Sequence, residues 1–328
     1  MYNDYNMKNL LKIRNEQTIP HRKSHTRAAV LVNTLVKLGV DSIFGYPGAS
    51  VLSIYNELEK TKSIKHFLVR HEQAAVHAAE GYARVSGKTG VVLVTSGPGF
   101  TNTVTGIANA YTDSTPLVVL AGDISTSSSQ GKIFQNVDIR SMISSCAKKT
   151  YTLTKDDDVE KIITEAFQEA NSGVKGPVVI ALPRNLLETK ALENMQDKFS
   201  FKNKSKDFKN EITKLNKLIN SSTRPLVLVG GGGVNAALEI NNFVSKINSP
   251  VVSTLMGIGI YPSSKSNYLG MIGINGTYAA NTALQKCDLL ISIGASFSDR
   301  STCKKMNFAG NAKIVNINIQ KNQNKAID

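Results

Sequence analysis

Short apolar runs rich in β-branched residues alternate, along the first half of the chain, with longer segments of helical period. Residues 42–46, 66–69, 91–95, 117–121 and 177–182 read as strands, apolar without interruption as strands buried on both faces are. Residues 51–60, 72–86, 102–111 and 159–171 read as the helices between them. This alternation predicts a parallel sheet covered by helices on both sides. From about 190 to 210 the texture turns polar and lysine-rich without a period, which is the composition of a linker. A second series follows, with strands over 225–229, 250–253, 288–293 and 313–319 and helices near 236–247 and 277–285. No repeat of 20–50 residues relates the halves, which favours two α/β domains over a solenoid. The expected fold is α/β, two doubly wound parallel-sheet domains: the first over 22–188, a linker over 189–208, and a Rossmann-like domain over 209–328.

A chain of 328 residues is long enough for two such cores, and 41% hydrophobic with 20% charged residues excludes collagen-like, coiled-coil and low-complexity classes. The net charge of +14 invites a nucleic-acid reading. The lysines gather in the first stretch and between Lys190 and Lys217 without a helical stripe, so a solvated linker explains them more cheaply and no nucleic-acid partner is expected. No apolar run approaches the roughly 20 residues of a membrane span, and no membrane partner is expected. Cys146, Cys287 and Cys303 are odd in number and lack CxxC spacing, which points away from a disulfide framework or zinc site and toward a reducing, cytoplasmic setting. Asp4 and Glu16 interrupt the N-terminal stretch, which has no apolar signal core.

Ligands of open α/β sheets bind beyond the carboxyl ends of strands, and four places there carry unusual residues. Gly45-Tyr46-Pro47-Gly48 is a Pro-Gly turn into a helix. Arg70-His71-Glu72-Gln73 opens an alanine-rich helix, where a first-turn glutamate also suits the helix dipole without any ligand. Thr95-Ser96-Gly97-Pro98-Gly99 is a glycine loop running into a helix start, equally a tight βα turn and a place for close ligand approach. Ala121-Gly122-Asp123 leads into a long polar loop, 125–132, that ends at Phe134-Gln135.

Several motifs fail. His71-Glu72 is followed by His77, which is not the HExxH spacing, and Ser96 lacks the glycine two positions earlier that a nucleophile elbow needs. Gly230-Gly231-Gly232-Gly233 is followed by Val-Asn rather than the Lys-Ser/Thr of a phosphate loop. After a strand and before a helix, this run suits a nucleotide pyrophosphate and a ligand-free turn about equally.

Taken in order, the segments are far more specific. Phe44-Gly45-Tyr46-Pro47-Gly48, Arg70-His71-Glu72-Gln73-Ala74-Ala75, Glu80-Gly81-Tyr82-Ala83-Arg84, Thr95–Gly99 with Asn102, and Phe134-Gln135 resemble the large subunit of thiamine-diphosphate-dependent acetolactate synthases. Leu228-Val229-Gly230-Gly231-Gly232, Thr254-Leu255-Met256-Gly257, Tyr268-Leu269-Gly270-Met271 and Cys287-Asp288-Leu289-Leu290-Ile291 look like that family's middle domain, in the same order. The resemblance runs from about His25 to Asn322. It implies a thiamine-diphosphate pyrimidine-binding domain followed by a flavin-type middle domain.

The resemblance further implies condensation of two 2-oxo acids, pyruvate with pyruvate or 2-oxobutyrate, with loss of CO2, the first step of branched-chain amino-acid biosynthesis. Glu72 falls where the family's glutamate meets the aminopyrimidine ring nitrogen, which requires a proton held by the acid or shared with the ring. Tyr46, Pro47, Gly48, Thr95, Ser96, Gly97, Pro98, Gly99 and Asn102 match positions around the pyrimidine. Phe134, Gln135 and Lys148 match residues beside the reacting acids, with Gln135 and Lys148 among the catalytic set. Gly231, Gly232, Thr254, Leu255, Gly273, Gly294 and Arg300 match positions holding FAD, a structural group in these enzymes. The family's site lies between subunits, so a homodimer or larger assembly is expected, together with a small regulatory subunit.

The chain departs from the pattern in places. Ile274-Asn275-Gly276 stands for Met-His-Gly, Ser296 and Ser298 for an arginine and an aspartate, Ala49-Ser50 for Gly-Ala, and Asn136 for an acid. The family continues into a third domain whose Gly-Asp-Gly and a later Asn bind Mg2+ and the diphosphate. This sequence stops at Asp328 and contains no Gly-Asp-Gly. Turnover is therefore expected only beside a separately encoded C-terminal domain, which would also bring the metal. Other thiamine-diphosphate carboligases, or a non-catalytic dimerising remnant, are the alternatives.

Overall fold

The computed structural model describes residues 26–126, 133–191, 207–302 and 308–319. The chain divides into two compact units, Met1–Asp197 and Lys198–Asp328. Most of the polar stretch 189–208 and of the 125–132 loop lies outside the described residues. Thr189 and Lys190 still belong to the first unit: Arg27 N donates to Thr189 O at 3.0 Å, and Thr26 bridges Lys190.

The first unit is a six-stranded, all-parallel sheet. Its strands are β1 (Ser42–Gly45), β2 (Lys65–Leu68), β3 (Gly90–Val94), β4 (Leu117–Asp123), β5 (Lys149–Thr152) and β6 (Pro177–Pro183), in the order β2-β1-β3-β4-β6-β5. Every residue of β3 and β6 is buried, as uninterrupted apolar runs require when helices cover both faces. One face packs Leu31 and Leu35 from helix Arg27–Lys37, Ile54 from Leu52–Glu59 and Ile163 from Val159–Asn171. The other packs Ala75, Val76, Ala79 and Ala83 from helix Glu72–Ser86, Ile107 from Val104–Thr112 and Ile143 from Ile139–Ile143. Each fully buried Leu or Ile contributes about 1.5–3 kcal/mol.

Helix Glu72–Ser86 carries the first candidate acid, and its sequence explains its placement. The buried positions 75, 76, 79 and 83 form one narrow face of alanines and valine, so the helix lies close on the sheet. His71 caps its start, Nδ1 accepting from Gln73 N at 3.2 Å, and Gly87 in the left-handed region ends it by donating to Ala83 O. On its flank both oxygens of the buried Glu80 carboxylate accept from Asn109 Nδ2 (3.0 and 2.8 Å), and Oε1 accepts from Arg84 at 2.6 Å, tying it to helix Val104–Thr112. Burial pushes the Glu80 carboxyl up, but the bonds from Arg84 and Asn109 and the Arg84 charge outweigh it and hold the group below its ordinary value.

The second unit is a five-stranded parallel sheet of β7 (Pro225–Val229), β8 (Val251–Ser253), β9 (Tyr268–Met271), β10 (Leu289–Ile293) and β11 (Lys313–Ile317), in the order β11-β10-β7-β8-β9. Helices Lys209–Ser221 and Ala237–Ile247 cover one face, and helix Tyr278–Lys286 covers the other. This is the doubly wound Rossmann order, confirming the expected architecture. The structure adds edge strands β5 and β9 and the helices Arg27–Lys37 and Lys209–Ser221 to the elements read from the sequence. Among the described residues no helix is long and apolar enough to cross a membrane.

Candidate functional site

In the first sheet, chain order reverses between β1 and β3, and ligands of open α/β sheets bind beyond the carboxyl ends of such a strand pair. The turn after β1 and the loop after β3 are packed on each other there. Tyr46 N donates to Leu93 O at 3.2 Å, and a methyl group on Gly48 would lie 2.4 Å from Thr95 Cβ. Only a residue without a side chain fits at 48. Phe100, completely buried just beyond the loop, anchors Thr95–Gly99 to the core. Ser96 is buried, and Tyr46, Pro47 and Pro98 are exposed on the rim.

Gly97 sits at φ +61°, and a methyl group there would lie 2.6 Å from Gln135 Cβ and 2.9 Å from its Cα. The structure therefore brings Gln135 directly onto the glycine loop, across some forty residues of chain. Gln135 is itself left-handed, φ 58°, which costs a non-glycine residue about 1–2 kcal/mol. Its neighbour Phe134 is 85% exposed.

Glu72, the first residue of its helix, is 9% exposed. Its Oε2 accepts from Asn102 Nδ2 at 2.9 Å, and Asn102 follows the short helix Pro98–Thr101 that begins inside the glycine loop. Its Oε1 has no hydrogen-bond partner among the described residues. That oxygen faces the space a side chain on Gly99 would fill, 3.4 Å from the position of such a methyl. One carboxylate oxygen is thus fixed by a side chain from another element, and the other lies, nearly buried, at the notch that the missing side chain of Gly99 leaves beside Thr95. A first-turn glutamate serving only the helix dipole would need neither Asn102 nor the notch.

Lys148 is placed elsewhere. Its Nζ donates to Glu169 O, to Ser172 O and, at 3.0 Å, to Ser172 Oγ, with Glu169 Oε1 at 3.6 Å. It caps the carboxyl end of helix Val159–Asn171, where a cation offsets the helix dipole. Lys148 does not join the group around Glu72, which corrects its expected position beside the reacting acids.

Ser50 went unnoticed in the sequence except as a departure. It is buried, its Oγ accepts from Ser96 N at 2.9 Å and lies 2.8 Å from Thr95 Oγ1. A small hydroxyl just past a Pro-Gly turn is the one signal that marks it.

In the second unit the reversal falls between β7 and β10, and the seven expected positions lie at or just past the carboxyl ends of strands: Gly231 and Gly232 after β7, Thr254 and Leu255 after β8, Gly273 after β9, Gly294 and Arg300 after β10. Gly294, at φ +65°, packs on the glycine run so closely that a methyl on it would lie 2.5 Å from Gly233 N. The amides of that run are mostly used within the protein. Gly230 N donates to Ile293 O (2.8 Å), Gly232 N to Gly294 O (3.0 Å) and Gly233 N to Gly230 O (2.9 Å). The run is thus a tight interlock of two loops, with the Gly231 amide alone of the four lacking a partner among the described residues. Gly273 packs on the backbone of Arg300, whose side chain is exposed, as is Leu255.

Comparison with known proteins agrees with this architecture of two parallel-sheet α/β domains. Residues 25–142 match the family model for the thiamine pyrophosphate enzyme N-terminal TPP binding domain, and residues 212–326 match that for the thiamine pyrophosphate enzyme central domain. The chain is 39% identical over 299 residues to the acetolactate synthase large subunit of Buchnera aphidicola from Acyrthosiphon pisum, covering 89% of this chain and 52% of that protein. It is likewise 39% identical over 299 residues to the acetolactate synthase isozyme 3 large subunit of Escherichia coli, with the same coverage of 89% and 52%. Identity to the acetolactate synthase large subunit of Cyanidium caldarium is 42% over 310 residues, 90% of this chain and 52% of that protein. The chain spans about half the length of the curated relatives it matches.

Proposed function

The chain belongs to the thiamine pyrophosphate enzymes, and from that premise we propose that its first domain supplies the pyrimidine end of a thiamine-diphosphate site for an acetolactate-synthase-type reaction. The substrates in this reading are 2-oxo acids: pyruvate condensed with pyruvate or 2-oxobutyrate, as a step of branched-chain amino-acid biosynthesis. The observation that carries it is the Glu72 carboxylate, one oxygen held by Asn102 and the other, beside Gly99, without a hydrogen-bond partner among the described residues.

When bound, thiamine diphosphate supplies the carbon nucleophile and the electron sink that decarboxylation and condensation require. The residues of this chain bind and orient. Glu72 Oε1 holds a proton at the pyrimidine ring nitrogen, and Asn102 keeps the carboxylate from rotating away. Thr95–Gly99 present backbone and small side chains to the ring, with Tyr46, Pro47 and Gly48 closing the crevice from the β1 side. Gln135, seated on Gly97, and Phe134, turned outward, stand where the 2-oxo acids enter. Lys148 has no part in this reading because its ammonium is spent on a helix end.

FAD, in a structural role, belongs to the same proposal for the second domain. The reversal of strand order between β7 and β10 supports it, but among the described residues the glycine run offers the Gly231 amide alone, so Thr254, Leu255 and Arg300 beyond the strand ends would have to hold the dinucleotide. Mg2+ is assigned to the half of the relatives' length that this chain does not span. Partners in this reading are a second copy of the chain and a small regulatory subunit, in the cytoplasm; the relatives' names, as large subunits, support the latter.

The test is acetolactate formation from pyruvate with thiamine diphosphate and Mg2+, by the chain alone and together with a polypeptide covering the unmatched half of the Escherichia coli relative. Activity that falls by at least 100-fold in Glu72→Gln supports the reading, since a positioned acid–base group contributes about 10²–10⁴-fold. No acetolactate in either mixture overturns it.

A further inference from the structure

The wall opposite Glu72 is set by a residue outside the loop that forms it. Thr95 has two faces. Its hydroxyl lies 2.8 Å from Ser50 Oγ, and its methyl is turned to Gly99, 2.7 Å from where a side chain there would begin, on the same notch that receives Glu72 Oε1. Without the hydroxyl's partner, rotation of Thr95 to another staggered well would carry Oγ1 to where the methyl now stands. Thr95 Oγ1 would then be free to turn toward the carboxylate.

Ser50 is itself held so that it selects only one of these arrangements. It lies in the 3-10 turn Ala49–Val51 after β1 and is 5% exposed. Its Oγ accepts from Ser96 N at 2.9 Å, which leaves its own proton, or that of Thr95, for the bond between the two hydroxyls. On the remaining side stands Gly122 at the end of β4, where a methyl group would lie 2.1 Å from Ser50 Oγ. The hydroxyl is enclosed by the ends of β3 and β4 and has no second place to go.

We propose that Ser50 is a positioning residue of the thiamine-diphosphate site, fixing the Thr95 rotamer and the Ser96 amide so that an apolar methyl, not a hydroxyl, faces the Glu72 carboxylate. This rests on the reading of the first domain as the pyrimidine end of that site. The chain departs here from the alanine usual in the family it resembles, and the structure gives that departure a task.

The experiment compares the full chain with Ser50→Ala, Thr95→Val and the double variant, by amide hydrogen exchange of peptides covering residues 95–99 and, beside the polypeptide covering the unmatched half of the Escherichia coli relative, by calorimetric titration with thiamine diphosphate and Mg2+. In Ser50→Ala the Ser96 amide loses a buried acceptor, so exchange in that segment rises about tenfold and the affinity falls about tenfold. In the Thr95→Val background, where no hydroxyl can rotate inward, Ser50→Ala lowers the affinity by less than threefold, while exchange still rises. A merely structural role predicts the same loss of affinity in both backgrounds. Unchanged exchange or unchanged affinity in Ser50→Ala overturns the inference alone, as does an additive double variant. Absence of saturable binding by the unsubstituted chain in that mixture overturns the functional reading, and the inference falls with it.

Discussion

Gly97 and Gln135 show how much of the candidate site is decided by single backbone positions. Gly97 lies in the left-handed region, and a methyl on it would meet Gln135 Cβ, O and Cα, all within 2.9 Å. Gly97→Ala therefore combines an unfavourable φ with a clash against backbone that cannot swing aside. The expected cost is about 2–3 kcal/mol, read as a lower urea midpoint with an unchanged slope, together with displacement of Gln135. Glu72 and Asn102 were legible in the sequence only through their order among other segments; no local pattern separates a ligand-binding glutamate from one that favours a helix dipole. Ser50 and Lys148 were not legible. Their roles depend on which strand ends and which helix end lie beside them, and those neighbours are distant in sequence.

At the scale of elements, helix Glu72–Ser86 is fixed at both ends, and the far end carries a pH dependence. Asp41, just before β1, accepts from Tyr82 OH at 2.6 Å on this helix, from Ser42 Oγ at 2.7 Å, and from Lys88 just past the helix end. Burial pushes the Asp41 carboxyl up, but the bonds from Lys88, Tyr82 and Ser42 outweigh it and bring it down to about 2 from an ordinary 3.8. A folded value below the unfolded one means stability present above 3.8 and lost as pH falls from there toward 2. Asp41→Asn is expected to flatten the acid limb of a urea-midpoint profile in that window and to leave its shape above pH 5 unchanged. Central strands such as β3 and β6 were legible because burial on both faces writes an unbroken apolar run. Strands β5 (Lys-Thr-Tyr-Thr) and β9 (Tyr-Leu-Gly-Met) sit at sheet edges, half covered, and carry no such run. Helix Arg27–Lys37 hides in a Val-Leu-Val and Thr-Leu-Val texture that suits a strand as well.

At the scale of the whole molecule, two doubly wound sheets each place their candidate positions at the point where strand order reverses. That much follows from the alternation of apolar runs and helical segments, which is why the class of fold was legible before any motif was weighed. Which crevice holds what was not, because a glycine run between strand and helix has the same composition whether its amides face a phosphate or each other. In this chain three of the four face inward, and the rim carries the remaining prediction. If flavin is held by the second domain, Arg300→Ala is expected to lower FAD affinity about tenfold, followed by flavin absorbance retained after desalting, while thiamine-diphosphate binding stays as it was. Glu72→Gln is expected to do the reverse. Loss of both ligands in either variant would contradict the separate assignments.

The notch beside Glu72 has a consequence for how this protein can change over generations. Gly48, Gly97, Gly99 and Gly122 each face a neighbour closer than a single added carbon allows, so drift to alanine, the smallest step a glycine codon can take in side-chain size, is closed at four places on the same group of loops. Ser50 is enclosed by the same walls. Variation that alters what the site admits must therefore accumulate on the outward side, at Tyr46 and Phe134, where a larger or smaller ring meets solvent rather than backbone. Descendants of this sequence would be expected to keep the inner wall nearly letter for letter and to record any shift of diet at those two aromatic positions.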